Sequence, residues 1–367
     1  MIYLDSAATT LQKPAEVFET MQYAMQTFST PGRGGHASAM GAAEAVYACR
    51  EEAAELFSCE PEQVVFTMNA THGLNLAIKT LVSRGDKVVI SGFEHNAVVR
   101  PLHAVGANIC VAGRELFLPK KMLEAFERAI DAQTKAVVCT HVSNVFGFIL
   151  PIEEVAEICR KKQVPLIVDA SQSAGVLALS FAKLGAAFVA CPGHKSLYGP
   201  QGTGVVICGR MPKPLMEGGS GSFSESLLMP DFLPDRAEAG TLNTAGICGL
   251  AAGMRFVRKK GLDGIFSHEC ALRQRLVRQL QNDSRVRLFT SEKTQSGVLS
   301  FQVQNVDCET AAQALDAAGF AVRAGLHCAP LAHKSADTIH AGTVRASFSV
   351  FNTDKEVDLF AAAVKKI

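Results

Sequence analysis

The sequence has almost no net charge, no long apolar run and no basic segment at its start, and each absence excludes a class of protein. Lysine and arginine total 36 against 35 for aspartate and glutamate, so the formal net charge is +1. That balance offers no electrostatic footprint for nucleic acid or for an anionic membrane. No apolar run reaches the roughly 18 residues that cross a bilayer. The first residues, MIYLDSAATTLQKP, lack the basic region of a signal peptide. We therefore expect neither a nucleic-acid partner nor a membrane partner.

The cysteines also lack a pattern. There are 11 of them, scattered along the chain, and no two are spaced as C-x-x-C. Zinc sites and redox-active disulfides usually need such pairs. We therefore predict free, mostly buried thiols in a reducing cytoplasm, with neither a disulfide framework nor a bound metal.

What is present is an alternation of apolar strands and amphipathic helices from Val64 to Cys208. This alternation predicts an α/β fold, a mainly parallel sheet covered by helices on both faces. Beyond residue 259 the pattern changes to α+β. A chain of 367 residues is long enough for about two domains. We predict a large domain over residues 15–255 and a small domain over 256–367, which also recruits residues 1–14.

The stretch Val164 to Gly204 organises the large domain. Asp169 follows a β-branched apolar run, Gln172 lies three residues further on, and Lys195 follows the next such run. Open α/β sheets bind ligands at the carboxyl ends of their strands. A lysine and a carboxylate at such ends suit pyridoxal 5'-phosphate, which is held by a lysine Schiff base and has a carboxylate at its ring nitrogen. The alternative is that Asp169 caps a helix and Lys195 is a surface lysine.

Two further segments carry candidate chemistry. Ala70 and Thr71 lie where a strand gives way to a helix predicted over Leu74 to Val82, and a helix N-terminus with a hydroxyl beside it attracts phosphate. A plain threonine cap explains the same residues. Cys328 follows a Gly-x-His turn close to Arg323, and positive charge from the arginine and from that histidine would favour its thiolate form. The other ten cysteines show that it could equally be incidental.

Four segments together resemble the class V aminotransferase family, and within it the branch of cysteine desulfurases and selenocysteine lyases. They are VDASQSAG from Val168, GHKSLYGPQGTG from Gly193, RAGLHCAP from Arg323 and VRAS from Val344. The resemblance runs through the whole chain in order. It implies the fold of pyridoxal phosphate-dependent transferases related to aspartate aminotransferase. That fold has a large domain with a mainly parallel seven-stranded sheet and a smaller α+β domain.

The resemblance also implies a role for each candidate residue. Lys195 and Asp169 would hold the cofactor ring, with His95 stacked on it, Gln172 beside it and Asn144 near its phenolic oxygen. Its phosphate would be bound by Ala70, Thr71 and His194, and by Thr241 of a partner subunit. The substrate carboxylate would meet Arg345 and Asn144, with Arg323 and His36 nearby, and Cys328 would attack the substrate sulfur. These residues imply a homodimer with shared active sites that acts on L-cysteine and passes sulfur to an acceptor.

One position departs from the family pattern. Pro192 stands where the family usually has a serine that donates to the cofactor phosphate, and proline offers neither a hydroxyl nor an N–H. Three alternatives stay open from the sequence. They are a selenocysteine lyase using the same site, an aminotransferase or epimerase in which Cys328 has no role, and a binding protein that keeps only the fold.

Overall fold

The structure is a computed structural model that describes residues 1–32 and 34–367. Its strands are β1 (Ile2–Tyr3), β2 (Val64–Thr67), β3 (Lys87–Ser91), β4 (Asn108–Ala112), β5 (Thr134–Thr140), β6 (Leu166–Asp169), β7 (Phe188–Pro192), β8 (Gly204–Cys208), β9 (Val286–Phe289), β10 (Val298–Val303), β11 (Phe320–Ala321), β12 (Arg323–Gly325) and β13 (Thr343–Ser347). Its helices are α1 (Ala15–Thr27), α2 (Ala37–Phe57), α3 (Ala70–Leu81), α4 (Asn96–Ala104), α5 (Pro119–Ala129), α6 (Ile152–Lys161), α7 (Phe181–Leu184), α8 (Thr244–Lys260), α9 (Leu262–Leu280), α10 (Cys308–Ala317), α11 (Pro330–Ser335) and α12 (Asp354–Val364).

Strands β2 to β8 form one seven-stranded sheet with the order β2-β8-β7-β6-β5-β3-β4. The strands from β7 to β4 are all parallel, whereas β8 pairs antiparallel with β7 and with β2. The predicted α/β fold with a mainly parallel seven-stranded sheet is therefore confirmed. Because β5, β6 and β7 are parallel neighbours, their carboxyl ends meet at one edge, where ligands bind in such sheets.

Both faces of this sheet are buried, and successive residues of one strand serve opposite faces. In β5, Val137 and Cys139 pack toward helices α2, α5, α6 and α8, whereas Ala136 and Val138 pack toward α3 and α4. All four side chains are fully buried. A strand covered on both faces needs a continuous apolar run rather than an alternating one. That requirement explains why the strands were readable from sequence.

The C-terminal part of the chain forms a second, antiparallel sheet with the order β12-β13-β10-β9. Helices α9, α10 and α12 cover it around their own apolar core. The first residues of the chain join this part, since β1 pairs with β11 and Asp5 bridges to Ser347. The predicted division at residue 255 falls inside the continuous helix α8, and the two-domain division stays a prediction.

Helices α3 and α4 are among the elements that differ from expectation. Helix α3 begins at Ala70 rather than Leu74, because the Asn69 side chain caps it by accepting the His72 N–H at 2.9 Å. Helix α4 is not indicated by the sequence pattern, since Pro101 lies inside it. Within the described ranges, no helix is both long and apolar enough to cross a membrane.

Candidate active site

Ten residues singled out in the sequence line one cavity of about 220 Å³. The cavity lies at the carboxyl ends of β5, β6 and β7 and at the start of α3. These residues are Ala70, Thr71, His95, Asn144, Asp169, Gln172, His194, Lys195, Arg323 and Arg345. The structure therefore brings residues from both parts of the chain to one place, as the sequence predicts for an active site.

Asp169 offers one free carboxylate oxygen to this cavity. It ends strand β6 and is only 2% exposed. The backbone N–H and the hydroxyl of Ser171 both donate to Oδ1. No described residue donates a hydrogen bond to Oδ2. Oδ2 is nevertheless not fully enclosed by protein, because it is not one of the buried side-chain atoms that lack a partner. Oδ2 is therefore available to accept a hydrogen bond from a ring N–H in the cavity.

Lys195 follows strand β7 and shares the cavity with Asp169. Burial of the amine lowers its pKa from 10.5 to about 8; the carboxylate of Asp169 opposes this shift, and the guanidinium groups of Arg345 and Arg323 add to it. An amine with that pKa is uncharged in a substantial fraction of molecules near neutral pH. It can therefore attack an aldehyde or take a proton from carbon.

His95 presents one defined nitrogen to the cavity. It caps helix α4, and its Nδ1 accepts the N–H of Ala97 at 3.0 Å. Burial lowers the pKa of His95, while Asp169 opposes that shift and Lys195 adds to it. The ring is therefore neutral, with its proton on Nε2. Beside it, Glu94 is fully buried and burial raises its pKa to about 8.

Arg345 is the largest buried cation of the site. It lies on β13 with 1% exposure, its Nη2 donates to Asp5 at 2.5 Å, and its Nη1 donates to the carbonyl of Asn144 at 2.9 Å. Its Nε is buried without a partner among the described residues. Arg323 stands directly opposite on β12. The two arginines give this side of the cavity a positive charge that Asp5 only partly balances, which suits a carboxylate ligand.

The N-terminal segment contributes more to the site than its sequence indicates. Besides the contact of Asp5 with Arg345, the carbonyl of Ala7 accepts a hydrogen bond from the Gln172 side chain at 2.9 Å. The Lys13 ammonium donates to the carbonyl of His194 at 2.9 Å. The polar run from Asp5 to Thr10 was the one available signal, but nothing in it shows which distant residues it meets.

Cys328 is the one exposed cysteine of the eleven, all of which are free and lie in the described residues. It and His327 have positive φ values of 56° and 52°, a conformation that costs side chains on the order of 1 kcal/mol each. Asn96 N–H donates to the Cys328 carbonyl at 2.7 Å, and the Asn144 amide donates to the His327 carbonyl at 2.8 Å. The loop backbone is therefore held while the thiol faces solvent, 3.8 Å from Arg323 Nη2.

The charge beside this thiol differs from the prediction in one respect. Burial lowers the pKa of His327 well below its usual value, and burial lowers that of His333, stacked beneath it, to about 4. The two rings lie 5.7 Å apart and nearly parallel, and Thr338 contacts His333 at 2.8 Å. Both imidazoles are neutral near pH 7. The cation that contacts Cys328 is therefore Arg323, and His327 adds no charge.

The other end of the cavity is suited to an anion. Ala70 and Thr71 occupy the first turn of α3, whose N–H groups have no partner within the helix. His194 and Pro192 line the same end. Pro192 ends strand β7 and supplies no donor, as its sequence position predicts. Donors at this end therefore come from the helix, from Thr71 and from His194.

Three predicted residues lie outside this cavity. Cys328 is adjacent to it, next to Arg323 and His327, which line it. His36 is exposed at the start of α2. Thr241 lines two other cavities, of about 680 and 210 Å³. The roles of His36 and Thr241 therefore stay predictions.

The donor set fits pyridoxal phosphate. An amine, a free carboxylate oxygen and a neutral imidazole face one cavity, and the first turn of helix α3, with the Thr71 hydroxyl, lies at its other end. These groups match the aldehyde, ring nitrogen, ring face and phosphate of that cofactor. Across the part of the chain that the structure describes, no group of three or more histidine, cysteine or acidic side chains is placed to hold a metal ion.

Comparison with protein families finds one match over nearly the whole chain. A sequence model of the aminotransferase class-V family matches residues 2–360. A probable cysteine desulfurase of Methanothermobacter thermautotrophicus is 32% identical, with 100% of this chain and 94% of the relative covered. A probable cysteine desulfurase of Xylella fastidiosa is 33% identical, with 100% of this chain and 91% of the relative covered.

Comparison with solved structures gives the same result. The apo structure of a cysteine desulfurase from Thermococcus onnurineus has a TM-score of 0.91 and 32% identity, covering 100% of this chain and 94% of that one. A cysteine desulfurase of Escherichia coli has a TM-score of 0.87 and 26% identity, covering 99% and 94% of the two chains. Sequence and fold therefore agree over the full length.

Proposed function

The chain belongs to the class V aminotransferase family, and on that premise we infer that it is a cysteine desulfurase. The enzyme takes the sulfur of L-cysteine onto one of its own cysteines as a persulfide and releases L-alanine. The observation that carries this function is the placement of Cys328. It is an exposed thiol on a fixed loop, beside a cation and next to a cavity that contains Lys195. An aminotransferase without sulfur chemistry would need no such thiol.

We infer that the cavity holds pyridoxal 5'-phosphate. Lys195 would bind its aldehyde carbon, Asp169 Oδ2 would accept from its ring N–H, and His95 would pack against its ring. Thr71 and His194 would bind its phosphate. Bound there, the cofactor would supply an electron sink that stabilises negative charge on the α-carbon of the substrate.

Peptide mapping tests the attachment. Borohydride reduction of the purified yellow protein should leave a phosphopyridoxyl label on the peptide that contains Lys195. The control is Lys195→Arg, which should stay unlabelled after the same treatment. A label on any other lysine contradicts the assignment.

The substrate carboxylate would be bound at the positive side of the cavity. Arg345 lines the cavity there, and Arg323 adds a second guanidinium. The side-chain amide of Asn144 is held by its bond to the His327 carbonyl, so its oxygen faces a fixed direction. These contacts would point the α-carbon of the substrate toward Lys195 and its sulfur toward Cys328.

Lys195 then acts as a base and takes the proton from the α-carbon. The Cys328 thiolate attacks the substrate sulfur. A new S–S bond forms as the Cβ–S bond breaks, and the electron pair of that bond stays with the carbon fragment. The fragment takes up protons at carbon and leaves as alanine. An acceptor thiol or a reductant afterwards removes the persulfide sulfur from Cys328.

Substitution of Cys328 tests the function. Cys328→Ser should still bind the cofactor but should form no persulfide and lose most release of sulfur from cysteine. The matched control is Cys308→Ser, a half-buried cysteine at the start of helix α10. An alkylating tag followed by mass spectrometry locates the persulfide. Normal turnover of cysteine by Cys328→Ser would contradict the mechanism. The same residues suit selenocysteine, and selenide release in this assay tests that second substrate.

We further propose a homodimer in which Thr241 binds the cofactor phosphate of the partner subunit. In its own chain Thr241 lies outside the active-site cavity. The segment before it, residues 209–240, exposes Phe223, Leu227 and Leu228 to solvent. A contact with a second copy would cover these apolar side chains. The buried pair of Arg50 and Glu238 fixes the end of the segment three residues before Thr241.

Mixed dimers test this arrangement. Inactive Lys195→Ala and weakened Thr241→Ala subunits are mixed and allowed to exchange. If Thr241 acts in the partner subunit, one site of the mixed dimer has both lesions and the other has neither, so activity partly returns. No recovery beyond that of the parent variants would mean that Thr241 acts within its own chain.

A further inference from the structure

The carbonyl oxygen of His194 has more donors around it than it can fully use. The Thr9 hydroxyl, the Thr10 hydroxyl and the Thr10 N–H each lie 3.1 Å from it, and the Lys13 ammonium lies at 2.9 Å. A carbonyl oxygen has two lone pairs. At least one of these donors is therefore free to bond elsewhere without leaving the carbonyl unpaired.

Thr9 is the donor that also contacts the His194 ring. Its Oγ1 also lies 3.0 Å from Nδ1 of the His194 ring. A hydroxyl has a single hydrogen, so Thr9 donates either to the carbonyl or to the ring nitrogen. In the first case Nδ1 must carry the ring proton and donate it to Thr9. In the second case Nδ1 accepts, and the ring proton lies on Nε2.

The choice determines what His194 offers to the cavity. Burial, with help from Lys195 and Lys13, lowers the pKa of His194 to about 4, so the ring is neutral and has one proton near pH 7. Nε2 has no hydrogen-bond partner in the described ranges. It is not fully enclosed by protein, since it is not one of the buried side-chain atoms that lack a partner, and His194 lines the cavity. Nε2 therefore opens on the cavity. It can donate to an anion only when it holds that single proton.

We propose that Thr9 sets the tautomer of His194, donating its hydroxyl hydrogen to Nδ1 so that Nε2–H is available to the cofactor phosphate. Thr9 is a positioning residue. While Thr9 donates to the ring, Thr10 and Lys13 donate to the His194 carbonyl instead. The proposal rests on the proposed cofactor, since the phosphate is the anion in question. The donor on His194 matters more in this chain because Pro192 supplies no donor to the phosphate.

Two measurements test the proposal. Nitrogen NMR of the holoprotein labelled at histidine should show the Nε2–H tautomer for His194. The second measurement compares affinities for pyridoxal phosphate and for pyridoxal, which lacks the phosphate. Thr9→Val should weaken the binding of pyridoxal phosphate about tenfold, the loss of one hydrogen bond, and leave the binding of pyridoxal unchanged. Thr9→Ser, which keeps the hydroxyl, should restore the affinity.

The matched control is Thr10→Val, which removes a hydroxyl donor from the same carbonyl, and from that of Lys195, but has no contact with the ring. An Nδ1–H tautomer in the holoprotein overturns the proposal. This NMR measurement uses the unsubstituted protein, so it does not depend on a variant that folds. An equal loss of affinity for pyridoxal and pyridoxal phosphate in Thr9→Val also overturns it, since that result indicates a general structural role. A protein that binds neither compound would instead contradict the proposed cofactor.

Discussion

The lowered pKa of Lys195 makes a quantitative prediction about its reactivity. Its pKa of about 8 replaces an ordinary value of 10.5, mainly because the amine is buried. At pH 7 the uncharged fraction of such an amine is about one in ten, against about three in ten thousand for a solvated lysine, a difference of about 300-fold. Only the uncharged amine attacks an aldehyde or an acylating reagent. The apoprotein should therefore capture its cofactor near neutral pH.

Trace acetylation of the apoprotein measures this directly. Trace acetic anhydride is added at pH values from about 6 to 11, and mass spectrometry gives the label on Lys195 relative to free Nα-acetyl-lysine. Labelling of Lys195 should rise about tenfold per pH unit and level off near pH 8, whereas the free compound should keep rising to about pH 10.5. Lys13, whose pKa burial also lowers to about 8, provides a second reading in the same sample.

The Asp169→Asn variant tests the cause. The carboxylate of Asp169 opposes the lowering of the Lys195 pKa, so its removal should move the levelling point below pH 8. The sign follows because a neutral amide no longer stabilises the ammonium form. Labelling that keeps rising to pH 10 in the unmodified sequence, or a levelling point that moves upward in Asp169→Asn, would refute the reasoning.

Two further predictions concern buried charges. Glu238→Gln removes the carboxylate that pairs with Arg50, whose side chain is 6% exposed, and should cost about 3–5 kcal/mol in urea unfolding. Glu52→Gln removes a carboxylate from the same helix as Arg50 and breaks the more exposed pair with Arg258, so it should cost about 0–1 kcal/mol. Equal losses of stability in Glu238→Gln and Glu52→Gln would contradict this account. Asp5→Asn and Arg345→Met should each destabilise the protein, yet the double variant should lose about 1 kcal/mol less than the sum. Strictly additive losses would show that the two side chains are not coupled.

Strands β2, β3, β6, β7 and β8 were predictable because each is a short apolar run buried along nearly its whole length, whereas the edge strand β4 is mostly half-buried. The bounds of β3, β4 and β10 follow directly from their sequences. Asp169 and Lys195 were readable as site residues for the same reason, since a polar residue directly after such a run lies at the sheet edge where ligands bind. The cofactor, the roles of the individual side chains and the dimer depend on the family resemblance as well as on this pattern.

The N-terminal segment could not be read in this way. Its polar residues look like an ordinary turn, and their partners are 165 to 340 positions away in the sequence. The neutral state of His327 was equally hidden, because it depends on burial beside His333 rather than on neighbours in sequence. Contacts of this kind are set by the folded arrangement, and no local periodicity reports them.

The pairing of Asp5 with Arg345 also orders events during synthesis of the chain. The two residues are separated by 340 positions. At roughly 5–20 residues per second, the ribosome makes Arg345 roughly 15–70 s after Asp5. The large sheet, complete by Cys208, can form in that interval. The N-terminal segment, whose Lys13 donates to the His194 carbonyl, cannot yet be held at Asp5, because Arg345 has not been made. The pocket around Lys195 is therefore completed only after two segments 340 positions apart have both been made.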